Sequence, residues 1–188
     1  MRVLVGQSLG FVRCLLMLMM ISVGMSPGWA GSAPHRDGYT HAHAHGQASA
    51  QVSLEGAVLR LEIQGAMDNF LSFEHPPKTN AQRAELQQLR DALKDAHWLA
   101  VPAVAAQCRS TGIRSKSALF DQTAGGKGHA DLVVSLTFEC SNPAALNAIR
   151  FSALDKGRRM KKLAVEFVGP SGQRAVTLTQ ARPILGLK

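Results

Sequence analysis

From Gly46 the chain alternates. Ala48, Ala50, Val52 and Leu54 take the even positions, and Gln47, Ser49, Gln51 and Ser53 the odd ones. A period of two predicts a strand with one face buried. Glu55-Gly56 predicts a turn, after which Leu59, Leu61 and Ile63 form one face and Arg60, Glu62 and Gln64 the other. The two runs predict a β-hairpin. Further on, Ala130, Leu132, Val134, Leu136, Phe138 and Cys140 alternate with His129, Asp131, Ser135, Thr137 and Glu139, which predicts a third strand. Leu163-Val165-Phe167 and Val176-Leu178, joined by Gly169-Pro170-Ser171-Gly172, predict a final hairpin.

Between these strands the period changes. The segment 68–78 is irregular and ends in Pro76-Pro77, which block helix continuation. Thr79 is then placed to cap a helix, with Gln82 three residues later completing a capping box. Leu86, Leu89 and Leu93 with Ala92 and Ala96 give it an apolar stripe, and its end is expected near Ala96-His97-Trp98. Residues 101–108 are expected to connect, 113–119 to form a strand, and 124–128 to form a glycine-rich loop. Ser141-Asn142-Pro143 starts a predicted short helix reaching Ile149. The order predicts an α+β fold with a mainly antiparallel sheet, one longer and one short helix. Gln51-Val52-Ser53-Leu54 echoes Val133-Val134-Ser135-Leu136, which opens the reading of two pseudo-repeated halves.

The N-terminus stands apart. Met1-Arg2, an apolar run from Cys14 to Val23 and small residues up to Ala30-Gly31 have the order of a secretory signal. The run is shorter than the ~20 residues of a comfortable span, so cleavage near Ala30 is expected over a retained anchor; Ala33 is a second position. Residues 31–40 read as a flexible lead-in and 41–188 as one domain. The full chain has 21 basic and 13 acidic residues; losing Arg2 and Arg13 with the leader leaves 19 basic and a net charge of +6. Its one cluster, Lys156-Gly157-Arg158-Arg159-Met160-Lys161-Lys162, could face nucleic acid or anionic lipid. With a single Tyr and no stacking platform, a solvated face is the better reading. No nucleic-acid partner is expected, and no membrane partner after cleavage.

Two cysteines remain, Cys108 and Cys140. In an exported chain an even count favours a disulfide; a Cys₂His₂ zinc site competes, but neither has a neighbour at CxxC spacing.

The candidate chemistry is metal binding. Three of seven histidines fall in Tyr39-Thr40-His41-Ala42-His43-Ala44-His45-Gly46. On a strand, residues i and i+2 lie about 6.6 Å apart on one face. If the first strand extended back, His41, His43 and His45 would share its odd, solvent-accessible face. His129-Ala130-Asp131 repeats the spacing with a carboxylate. A joint site from His43, His45, His129 and Asp131 supplies enough N/O donors for tetrahedral zinc. His41, nearest the lead-in, is the weakest member. Glu74-His75 before two prolines is a third candidate, either a ligand pair or a turn held by hydrogen bonds. His35 is a weak tail ligand, and His97 reads as a helix C-terminal cap. No HExxH, GxSxG, P-loop or GxGxxG is present, so the chain reads as a binding protein and not an enzyme.

His41-Ala-His-Ala-His45-Gly46, Phe73-Glu74-His75-Pro76-Pro77-Lys78-Thr79, His129-Ala130-Asp131-Leu132, the stretch from Phe138 to Leu146 and Val168-Gly169-Pro170-Ser171-Gly172-Gln173 together resemble the ZrgA family of bacterial periplasmic zinc-binding proteins. The resemblance spans nearly all of the mature chain. It implies a periplasmic location, zinc as the bound ion, and an accessory role in zinc acquisition beside an ABC importer or its binding protein. Many members carry a long His/Asp/Glu-rich insert after the helix; here only residues 109–128 stand there, which argues for a compact site over bulk storage. The rivals are an envelope structural or protein-interaction module that binds metal adventitiously, and a copper-handling protein, although the Met-rich clusters that Cu(I) favours are missing.

Overall fold

The structure, a computed structural model, describes residues 45–121 and 130–187. The alternation at the start becomes β1 (Gln47–Glu55) and β2 (Val58–Ala66), an antiparallel hairpin in which Ala50 faces Ile63 and Val52 faces Leu61. The helix is α1 (Asn80–Ala92), and the polar–apolar run after it is β5 (Asp131–Cys140). β7 (Lys162–Gly169) and β8 (Gly172–Thr179) form the late hairpin, closed by Pro170-Ser171.

Six strands make the main sheet. With β4 (Cys108–Lys116) included, their order is β4-β5-β2-β1-β7-β8. All neighbours are antiparallel except β1 and β7. One face is apolar: Ala50, Val52, Leu59, Leu61, Ile63, Leu132, Val134, Leu136, Phe138, Leu163, Val165 and Phe167 are buried in a single core with Leu86, Leu89 and Leu93 of α1. Burying each such large side chain stabilises the fold by about 1.5–3 kcal/mol relative to leaving it exposed. The opposite face carries Gln51, Arg60, Glu62 and Glu166.

Several expectations need correction. α1 ends at Ala92, and residues 96–98 form a separate 3-10 turn. Asp95 starts that turn by accepting from the His97 N–H at 2.9 Å, so His97 does not cap α1. Thr79 does cap it, its Oγ1 accepting from Gln82 N–H at 3.2 Å. The reciprocal bond of the box is shifted by one residue: Gln82 Oε1 accepts from Lys78 N–H.

The strand expected at 113–119 is β4, which begins five residues earlier. It was hard to read because it lies at the sheet edge, with few buried side chains to set a period. The short helix expected up to Ile149 is only a 3-10 turn, Pro143–Ala145. Beyond it comes β6 (Ala148–Arg150), which joins β3 (Val101–Pro102) and β9 (Ile184–Gly186) in a small second sheet. The short helix falls later, as α2 (Ala153–Lys156). Two- and three-residue strands are too short for a sequence period to show.

β1 and β5 flank β2, yet β1 turns into a hairpin while β5 leads to a 3-10 turn and β6. Two repeated halves are not shown. Cys108 and Cys140 are joined by a disulfide across the β4–β5 pair, at one end of β5. Among the described residues the mostly β architecture with two helices and one disulfide fits the α+β expectation broadly. No helix among the described residues is long and apolar enough to cross a membrane. The leader (residues 1–30), the lead-in (31–40) with His35, and the loop expected at 124–128 lie outside the described residues.

Candidate metal centre

The β1–β2 hairpin sets the geometry. Its nine-residue strands run out and back, so His45, two residues before β1, meets Asp68, two residues after β2. His45 Nδ1 and Asp68 Oδ2 lie 2.5 Å apart. The strand does not continue back to His45. Gly46 turns the chain with φ +77°, a conformation that favours glycine. A Cβ there would also stand 3.1 Å from the Arg159 carbonyl oxygen. For His45 this corrects the expectation of a place on the odd face of β1 by simple alternation. The turn at Gly46 breaks the parity, and His45 is aimed by its own hydrogen bond.

Asn69 fixes this corner. It is fully buried; its Oδ1 accepts from Gly46 N–H at 2.9 Å and its Nδ2 donates to the Gln47 carbonyl at 2.8 Å. The amide thus holds the neighbours of His45, while its own backbone follows Asp68. Gly65 leaves room for it, since a Cβ there would lie 3.0 Å from Asn69 Nδ2. The carbonyl of Asn69 accepts from Arg159 N–H, and Gly46 O accepts from Lys161 and Lys162 N–H.

Glu74 reaches the same corner from the irregular segment. Phe70, Leu71 and Phe73 are buried in the core, and Glu85 of α1 accepts from both the N–H and the hydroxyl of Ser72. The Glu74 carbonyl accepts from Ala130 N–H, and the Ala130 carbonyl from Met67 N–H. Residue 130 therefore ties the Asp68 turn and the Glu74 segment to the start of β5.

His45, Asp68 and Glu74 each present one ligand atom, all within 4.8 Å of one another. Donors at 2.0–2.1 Å around a tetrahedral zinc stand about 3.3–3.4 Å apart, so small side-chain adjustments would bring this trio onto one ion. The donor set, one imidazole and two carboxylates, suits zinc. The electrostatics point the same way. The Asp68 side chain is 3% exposed, yet its Oδ1 has no hydrogen-bond partner among the described residues. Its Oδ2 has His45 and, at 3.6 Å, Arg159 Nη1. A buried carboxylate costs several kcal/mol unless compensated, and a cation beside Oδ1 would compensate it. His45 is 60% exposed, so the corner is open on one side and closed on the other.

The expected residues divide as follows. His45 and Glu74 are brought together. His75 follows the alternative reading of its segment: Nδ1 is 2.8 Å from the Pro76 carbonyl oxygen, and the ring lies beside Phe73. It is not in the trio. Asp131 opens β5 opposite Ala66, at the same end of the sheet but also outside the trio. His41, His43 and His129 lie outside the described residues. Across the strands Ala48 pairs with Gly65 and Gly65 with Leu132, so the chain enters β1 and β5 at one sheet end, side by side around β2. Asp68 was missed by sequence reasoning. The available signal was Asp68-Asn69 set among Ala66, Met67, Phe70 and Leu71, a polar pair inside an apolar run just after a strand.

A search of curated proteins finds no match for the chain. The model of one family, described as ZrgA family zinc uptake protein, matches residues 42–187.

Proposed function

The chain belongs to the ZrgA family of zinc uptake proteins, and from that premise we propose that it is an exported, periplasmic protein that binds zinc as cargo at the hairpin corner. It buffers the ion or hands it on, as an accessory to an ABC importer or its binding protein. It acts by binding, not by catalysis. His45, Asp68 and Glu74 form the described part of the site; His41, His43, His129 and Asp131 are its candidate additional donors, because both strand starts lie at that end of the sheet. The single observation that carries this reading is the buried Asp68 carboxylate, with Oδ1 unpartnered among the described residues, next to an imidazole and a second carboxylate. Three protein donors leave a fourth position in a tetrahedral shell, and an open side at His45 suits an ion that has to leave again.

The test is calorimetric titration of tag-free protein, starting at residue 31, with zinc. Wild type is expected to bind, and Asp68→Asn and His45→Ala to lose affinity by tenfold or more. Unchanged stoichiometry and affinity in both variants would overturn this site. His43→Ala/His129→Ala tests the additional donors in the same way. Tighter binding of copper than of zinc under reducing conditions would favour the copper-handling alternative, and weak binding of all metals the structural-module one.

A further inference from the structure

We propose that Arg159 is a built-in competitor for the zinc ion, a positioning residue that keeps affinity moderate and release fast. The inference rests on the zinc reading above and adds a role to a residue outside the ligand set.

The geometry is specific. Arg159 Nη1 lies 3.6 Å from Asp68 Oδ2, the same oxygen that His45 Nδ1 approaches at 2.5 Å. Its backbone is held on both sides of the corner: its N–H donates to the Asn69 carbonyl, and its own carbonyl oxygen sits over Gly46. The next residues, Lys161 and Lys162, donate their N–H groups to Gly46 O. Buried Met160 anchors the segment in the core. The fold thus fixes the Arg159 backbone beside the carboxylate, within reach of its guanidinium.

Its neighbour behaves differently. Arg158 turns to α1, with Nε 3.6 Å from Glu85 Oε1. Of the basic stretch 156–162, Arg159 is the member with an ion-pair contact to the trio among the described residues.

The sign of the effect follows. Without metal, Arg159 supplies part of the compensation that the buried carboxylate needs. An ion bound at Asp68 at about 2.0–2.2 Å would stand no more than about 6 Å from Nη1 if Oδ2 holds it and about 8 Å if Oδ1 does, and a dication and a guanidinium repel at either range. Binding therefore requires the guanidinium to swing toward water, where more than half of its side chain already is, at 58% exposure. Competition for the carboxylate's charge and repulsion of the ion act in the same direction, so removing the arginine charge tightens binding. Because the arginine is more exposed than buried, the effect is screened and moderate.

The experiment is zinc titration of the residue-31 chain by calorimetry, with zinc release followed by stopped-flow transfer to a chromogenic chelator. Arg159→Gln is expected to bind zinc about 3–10-fold more tightly and to release it more slowly by a similar factor. Arg159→Lys should stay near wild type. Arg158→Gln, which removes one charge from the same stretch, should shift affinity less than twofold. The gap between wild type and Arg159→Gln should narrow when ionic strength rises from about 0.05 to 0.5 M. Unchanged or weaker binding in Arg159→Gln with an intact circular dichroism spectrum would overturn the proposal, as would an equal gain in Arg158→Gln, which would make the effect one of net charge. If Asp68→Asn binds zinc as wild type does, the zinc reading itself fails. If Asp68→Asn weakens binding and Arg159→Gln does not tighten it, the role of Arg159 alone fails.

Discussion

His45 and Asp68 are 23 residues apart in the chain and 2.5 Å apart in space. One stands two residues before β1 and the other two residues after β2, so the antiparallel hairpin that builds the centre of the sheet also closes the site. Folding of this hairpin brings the imidazole and the first carboxylate together, and the segment after it adds Glu74. No third element is needed to bring imidazole and carboxylate together, although Asn69, Ala130 and Arg159 hold them there.

Asp68→Asn should separate binding from folding. The amide removes a buried charge whose Oδ1 has no partner among the described residues, so urea denaturation without metal is expected to show unchanged or slightly higher stability. Zinc affinity should fall by at least tenfold. A metal-free protein destabilised by more than about 2 kcal/mol would mean that the carboxylate is structural.

Asn69→Ala should do the opposite. It leaves Gly46 N–H and Gln47 C=O at the start of β1 without their side-chain partner. Each unsatisfied buried group costs about 1–3 kcal/mol, so chemical denaturation should show a loss of about 2–4 kcal/mol. Zinc binding should weaken as well, because His45 loses its fixed approach to Asp68.

Zinc should stabilise the fold by mass action. A ligand that binds only the native state at 100 times its Kd adds about 2.7 kcal/mol. The melting temperature is expected to rise with zinc and return on adding a chelator; in Asp68→Asn the rise should be largely lost. A full rise in that variant would place the stabilising ion elsewhere.

The disulfide should matter for stability and not for zinc. Cys140 ends β5 and Asp131 starts it, which puts the bridge about 30 Å from the metal end of the strand at 3.3 Å per residue. Closing 32 residues of chain separation is worth roughly 3–4 kcal/mol in the chain-entropy model. Cys108→Ala/Cys140→Ala should lose an amount of that order in denaturation, with zinc affinity within about twofold of wild type.

The strands that read clearly in the sequence are those whose side chains divide between core and water. β1, β2, β5 and β7 show the period because Val52, Leu61, Leu136 and Val165 are buried while their chain neighbours are not. Cys108 and Cys140 could be paired by count and context, and Thr79 named its helix start through local chemistry. β4, at the sheet edge, and the small second sheet stayed hidden: an edge strand buries too little to impose a pattern, and strands of two or three residues have no period to show.

The site divides along the same line. Sequence alone pointed to metal-binding chemistry, in a chain that sets imidazoles and carboxylates just ahead of strong strands, and it named His45 and Glu74 among seven candidate donors. The tertiary structure decided which of them meet. The turn at Gly46 ended the alternation before His45, and the hairpin delivered Asp68, a residue with no histidine neighbour to draw notice. Spacing along a strand is a local property that the sequence carries. Which carboxylate loses its water, and which arginine is brought to face it, depends on elements from distant parts of the chain packing at one end of a sheet.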